Sequence, residues 1–254
     1  MKIFGNIRNG YKLFRSVGVF NKLIKEIEAV KATGDTEKER ELIASSTAVW
    51  VNDVIELFDI DFRVEGKENI PEGPCVFYCN HQGYGDIVLM LKACEGKQIG
   101  FIAKDTLQKL PYFGTWIKTI RGVFIKRGDT RESLKAIRDG VELLKQGFSL
   151  VIFPEGTRSK GGEMKEFKAG SFKLATKAKV PIVPVAIHGT YRIFEETQLI
   201  TSGATAYARI LEPINTAEMD RKELKEIHTV VQNLVAENLE DLRAKDKDYV
   251  PFKK

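Results

Sequence analysis

Apolar positions change their period once along the chain, near residue 59. Before it the period is helical. Phe4, Ile7, Tyr11 and Phe14 share one face, the stripe slips near Gly18, and it resumes rotated through Phe20, Leu23, Ile24 and Ile27. A bend is expected at the slip. Ala32-Thr33-Gly34-Asp35 reads as a turn, and Thr36 followed by Glu39 reads as a capping box opening a second helix. That helix runs to about Phe58, with Ile43, Trp50, Val54 and Leu57 on one face. Residues 1–58 are therefore read as an amphipathic helical hairpin.

From residue 59 short β-like runs alternate with helical ones. Expected strands are 61–64, 75–79, 98–103, 122–126, 149–153, 182–187 and 206–211; expected helices are 86–94, 130–146, 167–178 and 221–244. Asp129 caps one of these helices and Gly147 follows its end. Asp220 with Glu223 opens the last. Two prolines in Val180–Val185 suggest an edge or irregular strand. This alternation predicts an α/β fold, a mixed sheet flanked by helices, over residues 59–254 behind the N-terminal hairpin.

Charge sharpens this picture. The net charge is only +5, but residues 1–25 carry Lys2, Arg8, Lys12, Arg15, Lys22 and Lys25 and no acid. A second basic run holds Lys118, Arg121, Lys126, Arg127, Arg131, Lys135 and Arg138. Such patches suit phosphates, anionic headgroups or nucleic acid. The hairpin sets a basic face against Phe, Tyr and Trp, the composition of helices lying in a lipid interface; packing of its apolar face on the rest of the domain is the other, compatible reading. No charge-free apolar run approaches the about 18 residues of a membrane span, and no secretory signal is visible. Cys75 and Cys79 would lie about 13 Å apart along a strand, beyond the about 7 Å a disulfide allows. They are read as free core thiols, which favours a reducing compartment.

Chemistry concentrates at two strand-to-helix turns. Asn80-His81-Gln82-Gly83-Tyr84-Gly85-Asp86 follows an apolar run. On a regular helix His81 and Asp86 would diverge by about 140°; across a glycine-containing turn they can meet. A carboxylate on one ring nitrogen fixes the tautomer and leaves the other as a base. A structural turn histidine beside a helix-capping aspartate is the competing reading. Phe153-Pro154-Glu155-Gly156-Thr157-Arg158-Ser159 also follows an apolar run. Glu155 can bond a hydroxyl, Arg158 can fork onto a phosphate, and Gly156 and Thr157 can offer amides to an oxyanion. Gly122–Arg127 ends in two cations.

In this order the segments resemble the signature of the glycerolipid acyltransferase family, more closely its 1-acylglycerol-3-phosphate acyltransferase branch. Asn80, His81 and Asp86 match its Asn-His-x4-Asp block. Gly122, Phe124 and Arg127 match its second block loosely, with Lys126 where an acid is often seen. Phe153–Ser159 matches the third throughout, and Val180–Val185 the fourth. Ala103–Leu107 is similar to the intervening segment. The resemblance spans about residues 60–215. It implies that His81 deprotonates the 2-hydroxyl of lysophosphatidic acid, with Asp86 orienting it and no covalent intermediate. The acyl group would come from a thioester of coenzyme A or acyl carrier protein. Lys104, Lys126, Arg127 and Arg158 would hold the phosphate, and Glu155, Gly156 and Thr157 would shape the acceptor site. No permanently bound cofactor, metal or nucleic acid is implied. The working place would be the phospholipid surface on the cytoplasmic face of the membrane, held peripherally or monotopically by the hairpin.

Other readings keep the chemistry with glycerol 3-phosphate or another lysophospholipid as acceptor, or make the chain a non-catalytic lipid- or nucleic-acid-binding module. A nucleophile-based hydrolase lacks its Gly-x-Ser-x-Gly elbow, and Cys79 has the apolar surroundings of an inert thiol. His188 reads as a structural strand end, and His228 as a helix-surface residue.

Overall fold

The structure, a computed structural model, describes residues 10, 11, 16, 23–126 and 128–247. Most of the first apolar stripe (Phe4, Ile7, Phe14, Gly18, Phe20) and the candidate Arg127 lie outside them. A first helix, α1, covers residues 23–33, and α2 (Thr36–Phe58) returns along it after the Gly34 turn. The α2 cap differs from the expected box. Asp35 caps the helix by accepting from the Lys38 amide, and Glu39 turns inward instead.

Seven strands follow: β1 (Asp61–Glu65), β2 (Val76–Cys79), β3 (Ile99–Lys104), β4 (Val123–Ile125), β5 (Ser149–Ile152), β6 (Ile182–His188) and β7 (Thr205–Ile210). Between and after them stand α3 (Gly85–Ala93), α4 (Phe113–Thr119), α5 (Thr130–Lys145), α6 (Lys173–Ala178) and α7 (Arg221–Lys245). The strands form one mixed sheet in the order β1-β7-β6-β2-β5-β3-β4. Only the β6–β7 pairing is antiparallel. The expected strands are where the pattern put them, and so are the Asp220–Glu223 capping box on α7 and the Asp129 cap on α5. The short α4 was not anticipated.

Strand β6 is internal, so of the two readings its prolines allowed, edge or irregular strand, the second holds. The Pro184 carbonyl accepts from Leu211 at 2.9 Å. Its donorless nitrogen therefore faces β7, where that strand's ladder breaks between Ile210 and the isolated bridge at Ile214. The interruption absorbs the missing hydrogen bond.

A sheet buried on both faces explains the uninterrupted apolar strands. Alternate residues of β2 point to opposite cores. Phe77 and Cys79 pack with residues of α1 to α4, while Val76 and Tyr78 pack with α5, α6 and α7. All three cysteines are free and buried. Burial pushes their thiols up, that of Cys75 to about 11.

The hairpin packs on α3 and is tied further by α4 and the residue that follows it. Trp50 of α2 meets Trp116 at 5.2 Å between ring centroids, and Thr119 bonds Glu28 of α1. Arg121 closes a two-pronged ion pair on Glu39, each contact 2.6 Å. Glu39 is almost fully buried, so removing its charge strands the guanidinium. Glu39→Gln is expected to lower stability by about 3 kcal/mol, read as a lower urea midpoint; an unchanged midpoint would mean the pair does not hold the hairpin.

Candidate active site

Five strands, β6, β2, β5, β3 and β4, run in one direction, so their carboxyl ends line a single edge. Open α/β sheets bind ligands along such an edge. Every described candidate residue follows one of these strands.

At the end of β2 the Asn80 side chain continues the ladder that the backbone abandons. It donates to the Ile187 carbonyl at 2.8 Å and accepts from the Ile187 amide at 2.7 Å. The chain then turns, and α3 starts at Gly85. Asp86, in the first turn of α3, is fully buried. One of its oxygens accepts from three donors: His81 Nδ1 at 2.6 Å, the Gln82 amide at 2.7 Å and the Gly83 amide at 3.1 Å. Its other oxygen accepts from the Thr190 hydroxyl. The two amides can only donate, so the oxygen they share acts as an acceptor for the ring nitrogen as well. An accepting oxygen needs a donor, so Nδ1 carries the imidazole hydrogen and Nε2 holds the free lone pair.

The His81 ring lies on Phe153, 4.2 Å between centroids and 18° between planes. Its side chain keeps 15% of its surface exposed. Its backbone is held as firmly as its ring. The His81 amide donates to Glu155 at 2.6 Å, and its carbonyl accepts from the Ser159 amide at 2.7 Å. One residue on, Lys160 donates to the Gln82 carbonyl at 3.0 Å. The loop after β5 thus runs beside the loop after β2 as a short ladder.

Glu155 is a brace in this arrangement. Its second oxygen accepts from the Lys165 amide at 2.9 Å. Burial pushes its carboxyl above the ordinary range, against the two amides that favour its ionised form. Gly156 has a left-handed φ of 70°, and its amide donates to the Phe153 carbonyl at 3.0 Å, inside the turn. Thr157 beside it is exposed. Arg158 donates to Glu195 at 2.6 Å and lies 3.8 Å over the Tyr84 ring. The same Glu195 oxygen accepts the Tyr84 amide at 2.9 Å. Gly83 is required here, because a Cβ would fall 2.3 Å from the other Glu195 oxygen.

Lys104 ends β3 and Lys126 follows β4; both are exposed, and Lys126 stands 3.6 Å from Asp129. By strand order they lie two and three strands from β2, about 10 and 14 Å at ordinary spacing. His81, Asp86, Glu155 and Arg158 are thus brought together by contact, and the two lysines extend the same edge. Thr190 and Glu195 carried no local signal in the sequence. They reach the site only because β6 lies beside β2. Phe153 and Gln82 stood inside the quoted motifs without an assigned role; Gln82 ties the loop to β6 by accepting the Gly189 amide at 2.8 Å.

His188, at the end of β6, is fully buried and bonds Asp246 at 2.8 Å, which also meets Arg192 at 2.6 Å. His228 of α7 bonds within its own helix.

The sequence profile of the family described as Acyltransferase matches residues 61–188, and the chain belongs to that family. A chloroplastic 1-acyl-sn-glycerol-3-phosphate acyltransferase from Brassica napus is 40% identical over 51% of this chain and 38% of its own length. The 1-acyl-sn-glycerol-3-phosphate acyltransferase of Saccharomyces cerevisiae is 30% identical over 73% of this chain and 62% of its own. The chain thus spans less than two thirds of both relatives. The crystal structure of the 1-acyl-sn-glycerophosphate (LPA) acyltransferase PlsC from Thermotoga maritima superposes with a TM-score of 0.80 at 28% identity, over 98% of this chain and all of that one.

Burial holds the His188 imidazole below its ordinary value, against the pull of Asp246. As pH falls through about 6.5 the unfolded chain binds that proton first, so stability drops towards acid, by at most about 1.4 kcal/mol per pH unit for one proton. His188→Gln is expected to flatten the dependence of the melting temperature on pH between about 7 and 5; an unchanged slope would assign it to other groups.

Proposed function

We propose that the protein transfers a fatty-acyl group from an acyl thioester to the 2-hydroxyl of 1-acylglycerol 3-phosphate, giving phosphatidic acid. The observation that carries the reading is the His81–Asp86 pair, 2.6 Å apart, at the carboxyl edge of the sheet in a member of the acyltransferase family. The named relatives and the Thermotoga maritima protein support the choice of acceptor.

His81 Nε2 takes the proton of the 2-hydroxyl, and the new alkoxide attacks the thioester carbonyl. The tetrahedral oxyanion collapses with cleavage of the carbon–sulfur bond, and the imidazolium returns its proton to the leaving thiolate. Asp86 stays ionised and stabilises the imidazolium. No covalent enzyme intermediate forms. Arg158, Lys104, Lys126 and Arg127 offer cations to the acceptor's phosphate; Glu155 and the Gly156-Thr157 turn shape the acceptor side. Coenzyme A or acyl carrier protein carries the acyl group as co-substrate.

The reaction joins two lipids, so the active edge must sit at a lipid surface. Residues 1–58 are proposed to dock there, with the rest of the chain, residues 59–254, carrying the chemistry. Three free thiols fit the reducing, cytoplasmic face of a membrane.

The test is a transfer assay on the full chain with 1-acylglycerol 3-phosphate and an acyl thioester. Phosphatidic acid from the wild type, with at least about 10²-fold less from folded His81→Ala, is the expected result. Full activity in that variant would refute the base assignment; no product from the wild type would refute the acceptor. Thr190→Val tests the support of Asp86. A fall of about tenfold in kcat is expected, the scale of one lost hydrogen bond to a charged group, with acceptor KM little changed and activity restored by Thr190→Ser. Equal kcat in wild type and Thr190→Val would remove Thr190 from the machinery.

A further inference from the structure

The connection from β3 to α4 leaves the sheet at the same carboxyl edge as His81 and carries an unusual tip. Leu110, Pro111 and Tyr112 are consecutive and all exposed, Leu110 by 47% and Tyr112 by 43%. Phe113 follows, half-buried at the start of α4. Isolated apolar side chains on a surface need no explanation, but a contiguous apolar tip does. Tyr112 turns the chain sharply: with φ 66° and ψ −47° it centres a γ-turn closed by the Phe113 amide on the Pro111 carbonyl at 2.8 Å, a rare backbone for an aromatic residue. Exposed Lys104, Lys109 and Lys118 flank the tip in the chain, and Asp105 is the only acid from Lys104 to Lys118.

The tip is also coupled to the hairpin. Helix α4 begins at Phe113, and it is α4 that meets α2 through Trp116 and Trp50 and α1 through Thr119 and Glu28. The tip and the described part of the hairpin are therefore joined through one short helix.

We infer that the Leu110–Phe113 tip inserts into the headgroup region of an anionic bilayer, as a second contact that turns the carboxyl edge of the sheet toward the lipid. The inference rests on the reading that the protein works at a membrane surface. Charge complementarity selects the occupant: an apolar tip in a segment that carries three exposed lysines and one acid suits acyl chains beneath anionic headgroups, which pair with the cations. One contact would leave the protein free to swivel, whereas the hairpin and the tip together fix the orientation in which His81 faces the lipid.

The full chain is sedimented with phosphatidylcholine vesicles, with and without added phosphatidylglycerol. Wild type is expected to bind the anionic vesicles better. The double variant Leu110→Ser, Tyr112→Ser is expected to partition at least about tenfold more weakly, while its activity on a water-soluble short-chain acceptor stays at the wild-type level. Leu110→Trp provides a direct readout that does not depend on that variant: its fluorescence is expected to be quenched by brominated lipid beyond the wild-type level set by Trp50 and Trp116. Equal partitioning of the double variant, or no added quenching in Leu110→Trp, overturns the inference. So does a double variant that loses self-association and keeps vesicle binding, which would make the tip a contact between copies. Vesicle binding through the tip without acyl transfer would instead defeat the activity reading and leave this one standing.

Discussion

A carboxylate with no access to water must be met by donors, and Asp86 is met by four. Ring, backbone and hydroxyl donors reach it from His81, Gln82, Gly83 and Thr190. Two strands have to lie side by side for this to happen, because Thr190 follows β6 and the others follow β2. The close turn at Gly83, the start of α3 and the orientation of the His81 ring follow from satisfying that one buried charge. A half-satisfied Asp86 would be costly, so the motif is a folding constraint as much as a chemical one.

Topology supplies the rest of the edge. Parallel β6, β2, β5, β3 and β4 deliver their following loops to one side, and helices on both faces keep the strands dry. Lys104 and Lys126 stand at the exposed ends of β3 and β4. The side chains that need fixed geometry are in contact with β2, β5 or the segment after β6. The order of strands thus sorts the polar groups by how tightly they are held.

The sheet was legible in the sequence because strands buried on both faces are short, apolar and separated by turn residues. The Asp129 and Asp220 caps were legible because capping is local chemistry. What failed was non-local. Glu39 sat at the right spacing for a cap, but Arg121, distant in sequence, offered its carboxylate a better partner than a backbone amide. Pro184 left edge and irregular strand both open until the break in β7, which removes the need for its missing donor, decided between them. Within the site, His81, Asp86 and Glu155 could be picked out by residue type and spacing. Thr190 and Glu195 could not, since their neighbours in sequence say nothing of the strand beside which they fall. Arg158 was read as a free cation, and its contacts with Glu195 and Tyr84 reveal a side chain already oriented.

The short ladder between residues 81–82 and 159–160 has a mechanical consequence. Two loops that are each bonded to the other behave as a single plate spanning the ends of β2 and β5. The Glu155–Arg158 turn cannot shift without carrying the His81 backbone with it. The tie consists of two main-chain bonds and the Glu155 side-chain bond to the His81 amide. An insertion in either loop would break that tie while leaving every polar side chain of the site intact.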